Sequence, residues 1–502
     1  KRRTFELEKN NHLKAVNLLA VSTAKNTNAI LKEMIKQNHG FIDLKIHLGD
    51  VTSDFKASSL VRMNNKRGKK SHLFKTNKSY MGVDHKLLAS ENFSQNLETF
   101  VDQLYRHSDA YRYKSHNLKN LQDYIDYYYI LADAISNEIF SKKINHVLFF
   151  NIPHLAYDTI IYQIAMSLKI PITIVTQSLF PDKFFSLENI KCYGDFNHDK
   201  IIEKDELIKL PKLNLFYMKK IKQRNEKSGQ INLRTLMHFL MFIIFKMPSL
   251  LFKPISMLKI LIRIQRIYKK FPKWRDPFAN FFHKNELSYF EHLAEFENNK
   301  INFEENFVYF PLPMQPEMTT SAIGGKFRDQ LLALEKLSNI LPSGVKIYVK
   351  ENPKQGSYAR GPLFFHRLSR IKSICFVPSY ADTNLLTDKA IFIATVTGTV
   401  GWEALCKGKN ILVFGHAWFK DFPGVVKYHE NLTYKEIIKQ KPNEKLILSK
   451  FQNLMALSHD GVIDRAYTNL VTNYDKNINI NKTAETISRL ILRKEKLTFL
   501  KT

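Results

Sequence analysis

Cysteine, glycine and long apolar runs are all scarce in this sequence. Three cysteines (Cys192, Cys375 and Cys406) lie far apart in 502 residues, with no Cys-x-x-Cys pair. That excludes a disulfide framework and a paired-cysteine zinc knuckle, and it suits a reducing, cytoplasmic compartment. Seventeen glycines and 17 prolines exclude a collagen-like or linker-dominated chain. No uncharged apolar run reaches the roughly 18 residues of a membrane span. The opening residues KRRTFELEKN carry no apolar signal core. HExxH, GxSxG, GxxxxGK[ST] and a convincing DxD are all missing. Their absence argues against a zincin, a nucleophile-elbow hydrolase, a P-loop enzyme and a carboxylate-held metal on a nucleoside diphosphate.

What is present is apolar content for sizeable cores, 44% hydrophobic and 12% aromatic, and a large basic excess. Lysine and arginine number 76 against 47 acidic residues, a net charge of +29. Such an excess favours nucleic acid, anionic lipid or a negatively charged substrate. The abundance of Lys, Asn, Ile and Phe is equally a mark of codon bias. No nucleic-acid module is visible, so no nucleic-acid partner is expected.

The chain alternates strands with helices. Residues 15–22 read as a buried strand, 55–120 as polar and irregular, and 119–141 as a tyrosine-rich helix. HVLFFNIPH (146–154), a helix at 156–168 and PITIVTQS (171–178) form a βαβ unit, hence a parallel sheet. From 306 the rhythm is regular: strands at FVYFPL, VKIYVK, SICFVP, AIFIATV and NILVFG alternate with helices near 326–340, 362–371, 382–387 and 399–407. This predicts a doubly wound α/β domain. A last helix is expected near 482–496. Residues 231–275 differ, because lysines and arginines interrupt apolar runs and Pro248 and Pro254 break them into short helices. They read as helices lying in an anionic membrane interface, or as a buried brace.

Ligands of open parallel sheets bind at the carboxyl ends of strands, which singles out several loops. In ATVTGTVGWEAL, Thr395, Thr397 and Thr399 offer hydroxyls, Gly398 and Gly401 allow close approach, and Glu403 can accept from ribose hydroxyls. An ordinary capped helix is the alternative. In QPEMTTSAIGG, Gln315, Glu317, Thr319, Thr320 and Ser321 follow a strand, and Glu317 reads as a nucleophile, a general base or a capping carboxylate. In VKENPKQGSYAR, Lys350, Asn352, Lys354 and Arg360 read as anion ligands or a solvated basic loop. His154 and Asp158, four apart at a strand-to-helix turn, read as an acid/base pair or as structural residues. DFNHDKIIEKDE (195–206) has calcium-loop spacing but Lys200 where the turn needs glycine, so no metal is expected.

QPEMTTS followed by GG, YVKENP and TVTGTVGWEALCKGKNILVFG resemble the capsular polysaccharide biosynthesis/export family, which includes bacterial capsule β-Kdo transferases. FNIPHLAYD followed by TQSLFPDKFF resembles the N-terminal half of one branch. The resemblance implies a GT-B-like α/β fold, two Rossmann-like domains with the active site between them. The implied division is an acceptor-side domain at 1–200, a basic helical insertion at 201–300, a CMP-sugar-binding domain at 301–480 and a C-terminal helix at 481–502. It further implies a retaining glycosyltransferase, peripheral on the inner face of the cytoplasmic membrane. The enzyme would move a 2-keto sugar acid from CMP to a bacterial glycan or glycolipid acceptor, without a metal cofactor. A UDP-sugar transferase of the same architecture and a non-catalytic assembly factor are the alternatives. Two departures from the Kdo pattern, Glu317 for an Asp and Glu351-Asn352-Pro353 for a His-Pro stretch, point towards a nonulosonic acid such as pseudaminic acid.

Overall fold

The computed structural model describes residues 15–22, 24–49, 55, 87, 90–107, 121–196, 210–215, 237, 240–241, 243–244, 248–260, 262, 301–315, 317–352, 360, 362–377 and 381–500. The chain divides into two units. The first comprises Lys1–Phe100, Asn117–Asn189 and Leu457–Thr498; the second comprises Val101–His116, Ile190–Ala456 and Phe499–Thr502. The sequence boundary at 480 thus differs from the observed division, which returns the chain to the first unit at Leu457.

The first unit is built on a six-stranded sheet. Strands β1 (Val16–Val21), β2 (Ile42–Leu48), β3 (His146–Phe149) and β4 (Ile172–Gln177) are parallel in the order β2-β1-β3-β4. Strand β5 (Lys183–Leu187) runs antiparallel beside β4, and the two-residue β12 (His459–Asp460) closes that edge. Helix α1 (Lys25–Gln37) buries Ile30, Leu31 and Met34 against Leu18, Ala20 and Leu148 of the sheet. The last helix, Lys476–Ile491, completes the same core with Ile487, Leu490 and Ile491. Its carboxylate cap, Asp475, accepts from the Ile478 amide.

Sequence reasoning left 55–120 irregular, yet α2 (Glu91–His107) is a helix. Phe93, Asn96 and Phe100, at i, i+3 and i+7, make one buried face. Phe93 stacks at 4.6 Å on Tyr128 of α3 (Leu121–Ser141), whose hydroxyl donates to the Phe93 carbonyl. Interspersed polar residues hid that face. Strands β2 and β5 also went unread, although β2 (IDLKIHL) alternates apolar and polar residues over seven positions; β5, at five residues, is too short to show a period.

The second unit holds six parallel strands: β6 (Phe307–Pro311), β7 (Lys346–Lys350), β8 (Ile374–Val377), β9 (Ile393–Thr395), β10 (Ile411–Val413) and β11 (Val425–Lys427). Their order is β8-β7-β6-β9-β10-β11. The chain winds outward from β6 to β8, then returns to β9 and winds the other way. This is the doubly wound order, with its reversal between β6 and β9. Helix α5 (Gln330–Ile340) covers one face, burying Leu331, Leu334 and Leu337 against Val308, Phe310 and Ile347. The strands at 307–311, 346–350, 374–377, 393–395 and 411–413 fall within those read from the sequence.

Candidate functional site

Three connections leave the carboxyl ends of β6, β9 and β10 and lock together. The Thr397 hydroxyl donates to the Thr319 carbonyl at 2.5 Å. The Gly415 amide donates to the Val396 carbonyl, and the His416 amide to the Ile323 carbonyl, both at 2.8 Å. A Cβ on Gly415 would lie 2.7 Å from Thr397 Cγ2, 2.8 Å from the Ile323 carbonyl oxygen and 3.1 Å from Gly324 Cα. Only glycine lets these backbones close so tightly. The junction sits at the strand reversal, where open α/β sheets place ligands.

The β6 loop forms one wide helical turn, Met318–Ala322, capped by Glu317. The Glu317 amide donates to Thr320 Oγ1 at 3.1 Å, and Thr319 Oγ1 donates to the Glu317 carboxylate at 3.2 Å. Thr320 is buried and donates to the Met314 carbonyl, so it holds the turn together. Gln315 and Ser321 both donate to Asp102, at 3.0 and 2.5 Å. Asp102 lies on α2 more than 200 residues upstream, and no local pattern marks it.

At the end of β7, the buried Lys350 ammonium donates to Thr383 Oγ1 at 2.7 Å. Thr383 opens α7 (Thr383–Lys389). Arg360 turns inward: its guanidinium pairs with Glu351 at 2.5 Å and donates to the Pro313 carbonyl and Gln330. Both partners are almost wholly buried, so this pair braces the loop from within. The Asn352 amide donates to the same carboxylate. Lys354 lies outside the described residues.

The threonine loop is partly self-satisfied. Thr395 Oγ1 accepts from the Gly398 amide at 3.0 Å, and Thr397 is committed to Thr319. Thr399 occupies the N-cap position of α8 (Val400–Leu405), and its side chain makes no capping bond. The helix has six residues, shorter than the expected 399–407, so its dipole adds little to anion binding. Gly401 approaches Phe419, not open space: an added Cβ would lie 2.6 Å from the ring. Burial raises the carboxyl pKa of the half-buried Glu403, and Lys407 partly offsets that shift.

The β10 loop supplies groups that sequence reasoning did not name. Buried Lys420 pairs with Asp195 at 2.9 Å and donates to the Lys191 carbonyl at 3.0 Å and His416 Nδ1 at 3.4 Å. That last contact leaves the His416 proton on Nε2. Burial pushes the His416 pKa down to about 4, aided by Lys420, Lys191 and Lys427, so the ring is neutral at pH 7. The signal was GHAWFKD directly after a strand. Asp195 thus serves Lys420, while the rest of the calcium-like stretch, from 197 on, lies outside the described residues. Among the described residues no cluster of three or more metal-ligating side chains occurs.

In the first unit, His154 and Asp158 share the turn between β3 and α4 (Tyr157–Ser167). The Asp158 carboxylate accepts from the His154 and Leu155 amides at 3.0 and 2.7 Å and is buried. Burial raises its pKa, while His154 and the two amides pull it back. His154 Nδ1 lies 2.6 Å from the Ile152 carbonyl, so Nδ1 carries the proton and Nε2 the lone pair. Ala156, at φ +68°, strains the turn between them.

Residues 270–459 match the family model described as capsule polysaccharide biosynthesis protein. Over that segment the chain is similar to that family. The segment contains every site residue named above in the β6, β7, β9 and β10 loops; His154 and Asp158 lie outside it. No curated protein matches the chain. Among solved structures, a KpsC β-Kdo 2,7-transferase from Thermosulfurimonas dismutans aligns at 9% identity and TM-score 0.31, covering 77% of this chain and 94% of its own. The β-Kdo 2,4-transferase of the same organism's KpsC aligns at 13% identity and TM-score 0.26, covering 61% and 78%. A UDP-GlcNAc 2-epimerase from Neisseria meningitidis aligns at 11% identity and TM-score 0.22, covering 95% and 100%.

Proposed function

We propose that this protein is a retaining glycosyltransferase of capsule polysaccharide synthesis. Its donor is a CMP-activated 2-keto sugar acid, and its acceptor a growing bacterial surface glycan. The observation that supports this most is the junction of the β6, β9 and β10 loops at the strand reversal, inside the capsule-family segment. It brings together the loops that carry Glu317, Thr397 and Thr399, and Lys350 ends the neighbouring strand β7.

The chemistry follows from those groups. Glu317 attacks the anomeric carbon; the bond from that carbon to the phosphate oxygen breaks, and CMP leaves with the electron pair. Lys350 and the Thr399 hydroxyl, with loop amides, meet the phosphate charge. A nucleoside monophosphate presents a single phosphate, so this scheme calls on no divalent cation. The acceptor hydroxyl then displaces Glu317 and gives its proton to a general base. Two inversions give net retention. In the first unit, Asp158 is committed to backbone amides and holds the turn, which leaves His154 Nε2 as that unit's candidate base.

Incubating the full chain with a panel of CMP- and UDP-sugars tests this reading. The expected result is CMP release from one CMP-sugar acid in the presence of glycan acceptor, and thermal protection by CMP but not UDP. Consumption of a UDP-sugar, or acceptor binding with no donor turnover, would replace it with one of the two alternatives.

A further inference from the structure

A second feature lies outside the capsule-family junction. Between 231 and 275 the chain has ten basic residues and no acidic one. Its described residues expose their apolar side chains. Met237, Leu240, Met241 and Ile244, at i, i+3, i+4 and i+7, form one exposed helical stripe. Ile255, Leu258 and Ile262, at i, i+3 and i+7, form another. Phe252, on the short turn Pro248–Phe252, is 85% exposed, and Ile255 is 71% exposed. Ile243 and Leu250 are buried, so the segment has an inner face as well as this outer one. Lys253 and Lys259 stand exposed among the apolar side chains.

Soluble surfaces rarely leave so much apolar area uncovered unless it meets something. The charge identifies what. A second copy of this chain would bring its own Lys253 and Lys259 against these two, a repulsive match. A neutral apolar partner would leave the lysines without counter-charge. An anionic bilayer satisfies both halves, taking Phe252, Ile255 and Leu258 into the acyl boundary while Lys253 and Lys259 reach the phosphates. No helix among the described residues is long and apolar enough to cross a membrane, so the mode is lying on the surface. We infer that the exposed side chains of Met237, Leu240, Met241, Ile244, Phe252, Ile255, Leu258 and Ile262, with Lys253 and Lys259, form a docking surface for an anionic phospholipid membrane.

Co-sedimentation of the full chain with phosphatidylcholine vesicles, with and without phosphatidylglycerol, tests this without any sugar donor. It therefore succeeds or fails independently of the proposed transfer reaction. The chain should pellet with phosphatidylglycerol vesicles and stay largely in solution with phosphatidylcholine alone. Replacing Lys253 and Lys259 by Glu should weaken binding at least about fivefold per lysine, and added salt should mimic it. Replacing Phe252, Ile255 and Leu258 by Ser should weaken it more than about tenfold at any salt. Both variants change exposed side chains, so their melting curves should match the parent's. Equal pelleting with both vesicle types would overturn the inference, as would variants that bind like the parent. So would a parent chain that ignores vesicles and instead self-associates, or binds an acidic protein, through these side chains.

Discussion

The two sheets place polar residues at their strand ends in different ways. In the first unit, a single short turn holds its own groups: Asp158 binds the amides of His154 and Leu155, and Ile152 fixes the His154 ring. In the second, the groups come from connections far apart in sequence, joined by Thr397 to Thr319, Gly415 to Val396 and His416 to Ile323. A self-contained turn positions one side chain. A junction of loops can enclose a ligand, and its parts are expected to fail together.

Substitutions sharpen that contrast. The largest effect is expected from Glu317→Gln, which should lower transfer by at least about a thousandfold while CMP still binds; single-turnover assay and CMP titration check both. Next is Glu351→Ala, which strands the buried Arg360 charge and should cost about 3–5 kcal/mol in chemical denaturation. His154→Gln should lower kcat about a hundredfold with stability and CMP affinity unchanged, because its turn is held by Asp158. If His154→Gln also lost CMP affinity, a role for His154 confined to proton transfer would fail.

Acid should test the cores. Burial lowers the pKa of His146 and His459 in the first unit to about 4, as it does for His416 in the second. A folded pKa below the unfolded value means the unfolded chain binds more protons between about pH 6.5 and 4. Stability is therefore present near pH 7 and lost as pH falls through that window, by about 1–2 kcal/mol per histidine at pH 5. Melts from pH 7 to 5 should flatten more for His146→Gln with His459→Gln than for His416→Gln alone. The smallest effect is at the junction itself: Thr397→Val should cost about 1 kcal/mol and weaken CMP binding. Asp158→Asn should cost a similar amount and leave CMP binding unchanged.

The alternation of strands and helices after residue 306 was legible because buried parallel strands are nearly continuous apolar runs, such as FVYF and ILVF. The short α2 face, the two-residue β12 and the return of the chain to the first unit at Leu457 depend on packing between distant segments. The same distinction governs the loops. Glu317 and Thr397 stand out in the sequence because each follows a strand, and Lys350 because it ends one. Asp102 and Lys420 do not, since each gains its meaning from partners more than 200 residues away. Arg360 shows the converse: its charge is conspicuous in sequence, and only the structure reveals Glu351 holding it inside.

Hydrogen–deuterium exchange with and without CMP tests the central claim most directly. The account predicts slowed exchange at residues 312–325, 396–401 and 414–420 together, with residues 151–158 unchanged by the nucleotide alone. CMP binding that leaves all three loops exchanging as before, or protects only some other segment, would contradict it.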